Sequence, residues 1–125
     1  MNSVRFQVHL AEESIIHYAN GIKAPLQRID GALIAPSTMP ITFWKRTDAP
    51  WLDMPEPLLH GTQHFHYKAP LTAGMELDCL LALTKIEQKP GRRGNLVLYT
   101  HSLTCACAGR SIMTAETVLI SVGDK

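Results

Sequence analysis

The sequence has almost no charge imbalance. Twelve Lys and Arg against eleven Asp and Glu leave a formal net charge of +1 at pH 7. A dedicated binder of nucleic acid or of an anionic membrane carries a concentrated basic excess, so neither partner is expected. Long apolar runs are also missing: nothing approaches the roughly 18 residues of a membrane span. Met1 to Glu13 lacks the unbroken apolar core of a signal peptide, and the expected compartment is the cytoplasm. Cysteine is scarce, with only Cys79, Cys105 and Cys107. A small odd number with no export signal points to reduced thiols. Cys105 and Cys107 form a C-x-C whose side chains share one face of a predicted strand. Small buried hydrophobes is the plainer reading, and no metal or cofactor is expected. No P-loop, dinucleotide fingerprint, G-x-S-x-G or H-E-x-x-H occurs.

What is present is an ordinary folding composition, 46% hydrophobic and 18% charged over 125 residues. That is long enough to bury a core as a single domain spanning residues 1–125. The organising stretch is Ala35 to Arg46, A-P-S-T-M-P-I-T-F-W-K-R. It reads as a short helix capped by Ser37 or Thr38, with Pro40 in the first turn, where a missing amide hydrogen costs nothing. Met39, Ile41, Phe43 and Trp44 leave almost no polar face before Lys45, so the helix should be buried nearly all round. Ahead of it, Val4 to Leu10 alternates as a strand, and Ala11 to Asn20 reads as a helix with Glu12 and Glu13 in its first turn and Gly21 as its stop. Ile22 to Ile34 reads as a loop. Asp48 to Pro57, with three prolines in ten residues, reads as a connector that Trp51 pins.

From Leu58 the period changes to two. Strands are expected at Leu58 to Lys68, Glu76 to Lys89, Asn95 to Cys107 and Ser111 to Val122, the last three joined by short turns as an antiparallel meander. Leu77, Cys79, Leu81 and Leu83 share one face, with Leu80, Ala82 and Ile86 opposite. Apolar residues on both faces of the strands imply that something beyond the helix covers part of the sheet or its edge, a partner subunit. Three of the six histidines, His60, His64 and His66, are expected on one face of one strand as a polar strip. Arg92 and Arg93 in the G-R-R-G hairpin loop are the candidate phosphate-binding pair, against the plainer reading of a solvated loop tip.

Three stretches carry a resemblance. Ile34 to Pro40, I-A-P-S-T-M-P, is similar to an I-A-P-P-T-F-P at the start of a central helix. His60 to Tyr67 with Pro70 to Gly74 is similar to H-G-E-Q-x-F-x-Y followed by P-L-x-A-G-D. Lys89 to Gly94 is similar to K-x-G-R-x-G. In this order they resemble the MaoC-like hydratase/dehydratase family, nearest to the domains that form one half of a double hotdog. The resemblance implies an α+β hotdog fold, an antiparallel sheet wrapped around one central helix. It implies the hydration of enoyl thioesters, or the dehydration of 3-hydroxyacyl thioesters, on coenzyme A or acyl carrier protein.

Active members of that family place an Asp and a His in G-D-x-N-P-[LIV]-H. The matching stretch here is Gly21-Ile22-Lys23-Ala24-Pro25-Leu26-Gln27, so Ile22 stands where the Asp belongs and Gln27 where the His belongs. Neither can exchange a proton near neutral pH. The resemblance therefore implies an accessory subunit without a catalytic dyad, shaping the acyl tunnel beside a catalytic hotdog partner. Asp30 and His60 are the spare groups for an unusual dyad. Thr38 and Met39 at the helix start are expected to offer backbone N–H groups to a thioester carbonyl. Met39, Ile41, Phe43 and Trp44 are expected to line an acyl pocket, or simply to pack the core. The competing readings are a self-sufficient hotdog enzyme (hydratase or acyl-CoA thioesterase) and a non-catalytic homo-oligomer that binds acyl-CoA.

Overall fold

The computed structural model describes residues 2–46, 51, 58–91 and 94–122. Five strands form one antiparallel sheet: β1 (Ser3–His9), β4 (Leu59–Tyr67), β5 (Glu76–Gly91), β6 (Gly94–Cys107) and β7 (Arg110–Val122). Their order is β1-β5-β6-β7-β4. The expected meander is thus the middle of the sheet, with β1 and β4 as its edges. Register explains the core. Val4, Phe6 and Val8 pair with Leu81, Cys79 and Leu77. Cys79 and Leu81 pair with Cys105 and Leu103, which in turn pair with Met113 and Ala115. Side chains alternate along a strand, so all of these share the inner face. Val8, Leu77, Leu81, Leu103, Cys105 and Met113 are at most 1% exposed. Burying each large one contributes about 1.5–3 kcal/mol.

Two helices fill that face. α1 (Glu12–Gly21) buries Ile15 and Ala19. Its chain end differs from the sequence reading: Gly21 is the last helical residue, and the left-handed position falls on Lys23, φ 58°. The second helix, Met39–Arg46, is 3-10 rather than α and starts four residues later than the predicted stretch. The Thr42 hydroxyl donates to the Met39 carbonyl at 2.8 Å, a side-chain bond that competes with the α-helical ladder in the first turn. Nor is this helix buried all round. Met39, Pro40 and Phe43 are buried, but Ile41 is 40% exposed, because one face looks into a cleft and not into the core.

The stretch read as a loop contains a two-stranded hairpin, β2 (Arg28–Ile29) with β3 (Ala32–Leu33). Asp30 and Gly31 turn it, with φ 49° and 84°, and Arg28 closes it through a 2.9 Å bond to the Gly31 carbonyl. Two bulges correct the face assignments. One between Leu83 and Lys85 brings Ile86 opposite Tyr99, onto the inner side, where it is 58% exposed. The other, between His60 and Gln63, splits the histidine strip. His60 pairs with Leu119 and Gln63 with Thr117, on the inner face, while His64 and His66 pair with Glu116 and Thr114 on the outer one. No helix among the described residues is long and apolar enough to cross a membrane.

Candidate functional site

Clefts flank the 3-10 helix, and its threefold period decides which residue faces which. Residues three apart eclipse in such a helix, so Thr38, Ile41 and Trp44 fall in line. Met39 and Phe43, expected as pocket residues, are core residues at 5% and 2% exposure. Both edge the α1-side cleft of about 600 Å³, together with Thr42, His17, Glu13 and Ile22. Ile41 and Trp44 line a cleft of about 260 Å³ on the β4 side, closed by His60, Gln63, Thr117 and Leu119. A further cleft of about 560 Å³ opens at the helix start, where Gln27, Ser37, Tyr67, Lys68 and Leu71 meet.

The helix start is held from two sides. The Tyr67 hydroxyl donates to the Ser37 carbonyl at 2.6 Å, and the Tyr18 and Thr38 hydroxyls bond at 2.7 Å. Burial, then the nearby Cys105 and Tyr18, pushes the Tyr67 phenol well above its usual range, so it stays a neutral donor. The Ala35 amide bonds the Leu71 carbonyl at 2.7 Å, and the Ile34 amide bonds the Gln27 carbonyl at 2.8 Å, which fixes the chain ahead of the helix. The Met39 amide, expected to be free for a substrate carbonyl, instead donates to the Pro36 carbonyl at 2.9 Å. The Thr38 hydroxyl and backbone remain at an exposed position.

At the other end of the helix lies a polar cluster that the sequence reading missed. His101 is fully buried. Its Nε2 accepts the Trp51 indole N–H at 2.9 Å, and its Nδ1–H donates to the Tyr99 carbonyl at 3.1 Å. Trp44 meets the imidazole edge-on, 4.9 Å between ring centres. Burial holds His101 below its ordinary pKa, against the opposing pull of the Tyr99 carbonyl, so the ring is neutral. Thr117, 4% exposed and opposite His101, donates to Gln63 Oε1 at 2.7 Å, and His60 Nε2 reaches the same oxygen at 3.1 Å. The available signal was His101 on the apolar face of a strand, opposite a Thr.

The other candidate positions are dispersed. Ile22, 48% exposed, edges the α1-side cleft, and Gln27 the cleft at the helix start, so the two residues expected at the dyad positions open onto different hollows. Asp30 sits in the exposed β2–β3 turn. Arg92 and Arg93 lie outside the described residues, as does the connector apart from Trp51. Cys79 and Cys105 face each other with sulfurs 3.6 Å apart. The Cys79 contact and burial push the Cys105 thiol up. No group of three or more metal-ligating side chains occurs among the described residues.

A family model described as "FAS1-like, dehydratase domain region" matches residues 9–115. The chain belongs to that family. Its match extends over both helices, the whole of β4, β5 and β6, and the start of β7. A UPF0336 protein of Clavibacter michiganensis is 31% identical over 98 residues, covering 74% of this chain. The aligned stretch is 64% of that relative's length, so the chain spans less than two thirds of it. Among solved structures, the C-terminally truncated HadBC (3R-hydroxyacyl-ACP dehydratase) complex from Mycobacterium tuberculosis superposes with a TM-score of 0.78 at 18% identity, covering 95% of this chain and 94% of that one. A MaoC-like dehydratase superposes with a TM-score of 0.73 at 20% identity, over 97% of this chain and 41% of that one. The fold is the hotdog fold, shared with these structures.

Proposed function

We propose that this chain is an accessory hotdog subunit of an acyl-thioester hydratase or dehydratase. Its thioester would be carried on coenzyme A or acyl carrier protein, and a partner would supply the proton-transferring dyad. What supports this reading is the hotdog scaffold together with Ile22 and Gln27, which the resemblance sets at the dyad positions. Removing or delivering the C2 proton and activating water both need a group that titrates near neutrality. An alkyl side chain and an amide offer none. What the chain does offer is shape, in the clefts flanking the 3-10 helix, and hydrogen-bond donors at the helix start. A partner fits two further facts. β4 is an edge strand of nine residues with no further strand beside it among the described residues, and the HadBC structure is of a complex.

Affinity purification of the tagged chain from its native cell, with mass spectrometry of what accompanies it, tests the proposal. A hotdog protein with an intact G-D-x-N-P-x-H stretch is expected, and hydratase turnover is expected in the joint complex and not in the isolated chain. Turnover by the isolated chain, abolished by changing one of its own residues, would sink it.

A second reading has one observation in its favour. His60 lines the β4-side cleft and is hydrogen-bonded to Gln63, so a histidine capable of proton transfer does face a hollow. If the chain is a self-sufficient enzyme, His60→Ala abolishes its activity. If it is an accessory subunit, the isolated chain is inactive with or without His60.

A further inference from the structure

The inner face of the sheet is apolar except at one end. The buried polar side chains of the described residues are His101, Thr117 and Ser121. They cluster on β6 and β7, at the end of the sheet next to the β4-side cleft, with His101 directly opposite Thr117. Burying such groups is unfavourable unless each finds a partner, and a fold in need of nothing but stability would place aliphatic residues there. Within the cleft, Gln63 Oε1 already takes the Thr117 hydroxyl and the His60 Nε2–H. With its oxygen doubly used, the amide presents its NH2 as the spare donor, and no acceptor among the described residues engages it. His60, donating through Nε2, keeps Nδ1 as an acceptor. A donor and an acceptor thus stand side by side, Gln63 half-buried and His60 exposed, on the β4 side of a hollow whose other walls include Ile41, Trp44 and Leu119.

The helix and β4 define the distance from this end to the helix start. Tyr67 touches Ser37 at one end, and Gln63 and His60 join Trp44 at the other, so strand and helix run antiparallel along one seam. Six residues of 3-10 helix, Thr38 to Trp44, rise about 12 Å. Four residues of strand, Tyr67 to Gln63, span about 14 Å. Phe65 lies midway on the inner face of the strand and Ile41 midway on the helix. The seam is polar at its start, apolar in its middle and polar again at its end.

Resting on the reading of this chain as a thioester-binding subunit, we propose that its acyl group is of medium length and bears an oxygen substituent at the far end. A hydroxyl or carbonyl there would be received by the Gln63 amide and His60. A plain alkyl end would cover the Gln63 N–H groups and leave them without a partner, which is where discrimination arises.

Trp44 lines the cleft and reports binding by its fluorescence. Decanoyl-CoA and ω-hydroxydecanoyl-CoA are titrated into the chain, and into its complex with any partner that co-purifies. The hydroxylated thioester is expected to bind about tenfold more tightly, and Gln63→Met is expected to abolish or reverse that preference. Equal affinities in the unaltered protein, or a preference for the plain chain, would overturn the inference while leaving the thioester reading in place. Failure of either thioester to bind, alone or in the complex, would remove the thioester reading and this inference with it. The unaltered protein's preference decides the matter even if the variant does not fold.

Discussion

His101 shows at the level of one residue how burial sets chemistry. The neutral ring is held between the Trp51 indole and the Tyr99 carbonyl, with its pKa below the ordinary 6.5 chiefly because burial penalises the charged form. The unfolded chain then takes up a proton more readily than the folded one. The associated stability is complete above about pH 6.5 and is lost as pH falls towards the lower folded value. The melting temperature is therefore expected to drop on acidification below pH 6.5. His101→Gln, which can still accept from Trp51 and donate to Tyr99, is expected to be less stable at neutral pH and flatter across that window. A parallel acid profile for the two proteins would exclude His101 as the source. Phe43 makes the same point without charge. At 2% exposure in the shared core, Phe43→Ala should cost about 3–5 kcal/mol, readable as a shift in the urea midpoint. Ile41→Ala on the cleft face should cost well under 1 kcal/mol.

Among the elements, the ends and the bulges govern what faces the clefts. α1 stops with Lys23 in the left-handed region, where a Cβ is unfavourable and glycine is not. Lys23→Gly is expected to raise stability by about 0.5–1 kcal/mol in chemical denaturation, since the left-handed strain it removes exceeds the glycine's entropic cost. Gly61 lies in the bulge of β4, where an added Cβ would come within 2.9 Å of Ile120 Cδ1 and 3.0 Å of the Val118 carbonyl. The carbonyl belongs to the sheet and cannot yield. Gly61→Ala is expected to cost about 1–3 kcal/mol and to displace His60 and Gln63 from the cleft. Loss of the Trp44 fluorescence response in a protein that still melts cooperatively would be the accompanying sign.

For the molecule as a whole, the open question is what covers the β4 edge and the outer face. Leu59 and Val122, 56% and 41% exposed, lie on β4 and β7 at the same end of the sheet. Half-buried Leu98, Val118 and Ile120 share the outer face. Exposed apolar surface beside an unpaired strand favours a second subunit. Native mass spectrometry of the purified chain or its complex is expected to give at least twice the chain's 13.9 kDa. A monomer at micromolar concentration, with no partner recovered from the cell, would count against assembly.

Much of the fold was legible in the sequence, because period and punctuation act locally. The long strands, their meander and the first helix follow from apolar spacing and from the turns at Gly74 and Gly109. The D-G of the short hairpin was a legible signal too, but two-residue strands are too brief for periodicity to flag them. Bulges leave no comparable trace. One extra residue between His60 and Gln63, and another at Thr84, swap the faces of everything beyond them, so the expected His60–His64–His66 strip divides and Ile86 changes side. The sequence alone determined that Ile22 and Gln27 carry no group that titrates near neutrality, since no packing can give an alkyl chain or an amide a useful pKa. Only the tertiary structure decided that Met39 and Phe43 belong to the core while Ile41 and Trp44 face a cleft. That partition depends on which side of the helix the sheet lies against.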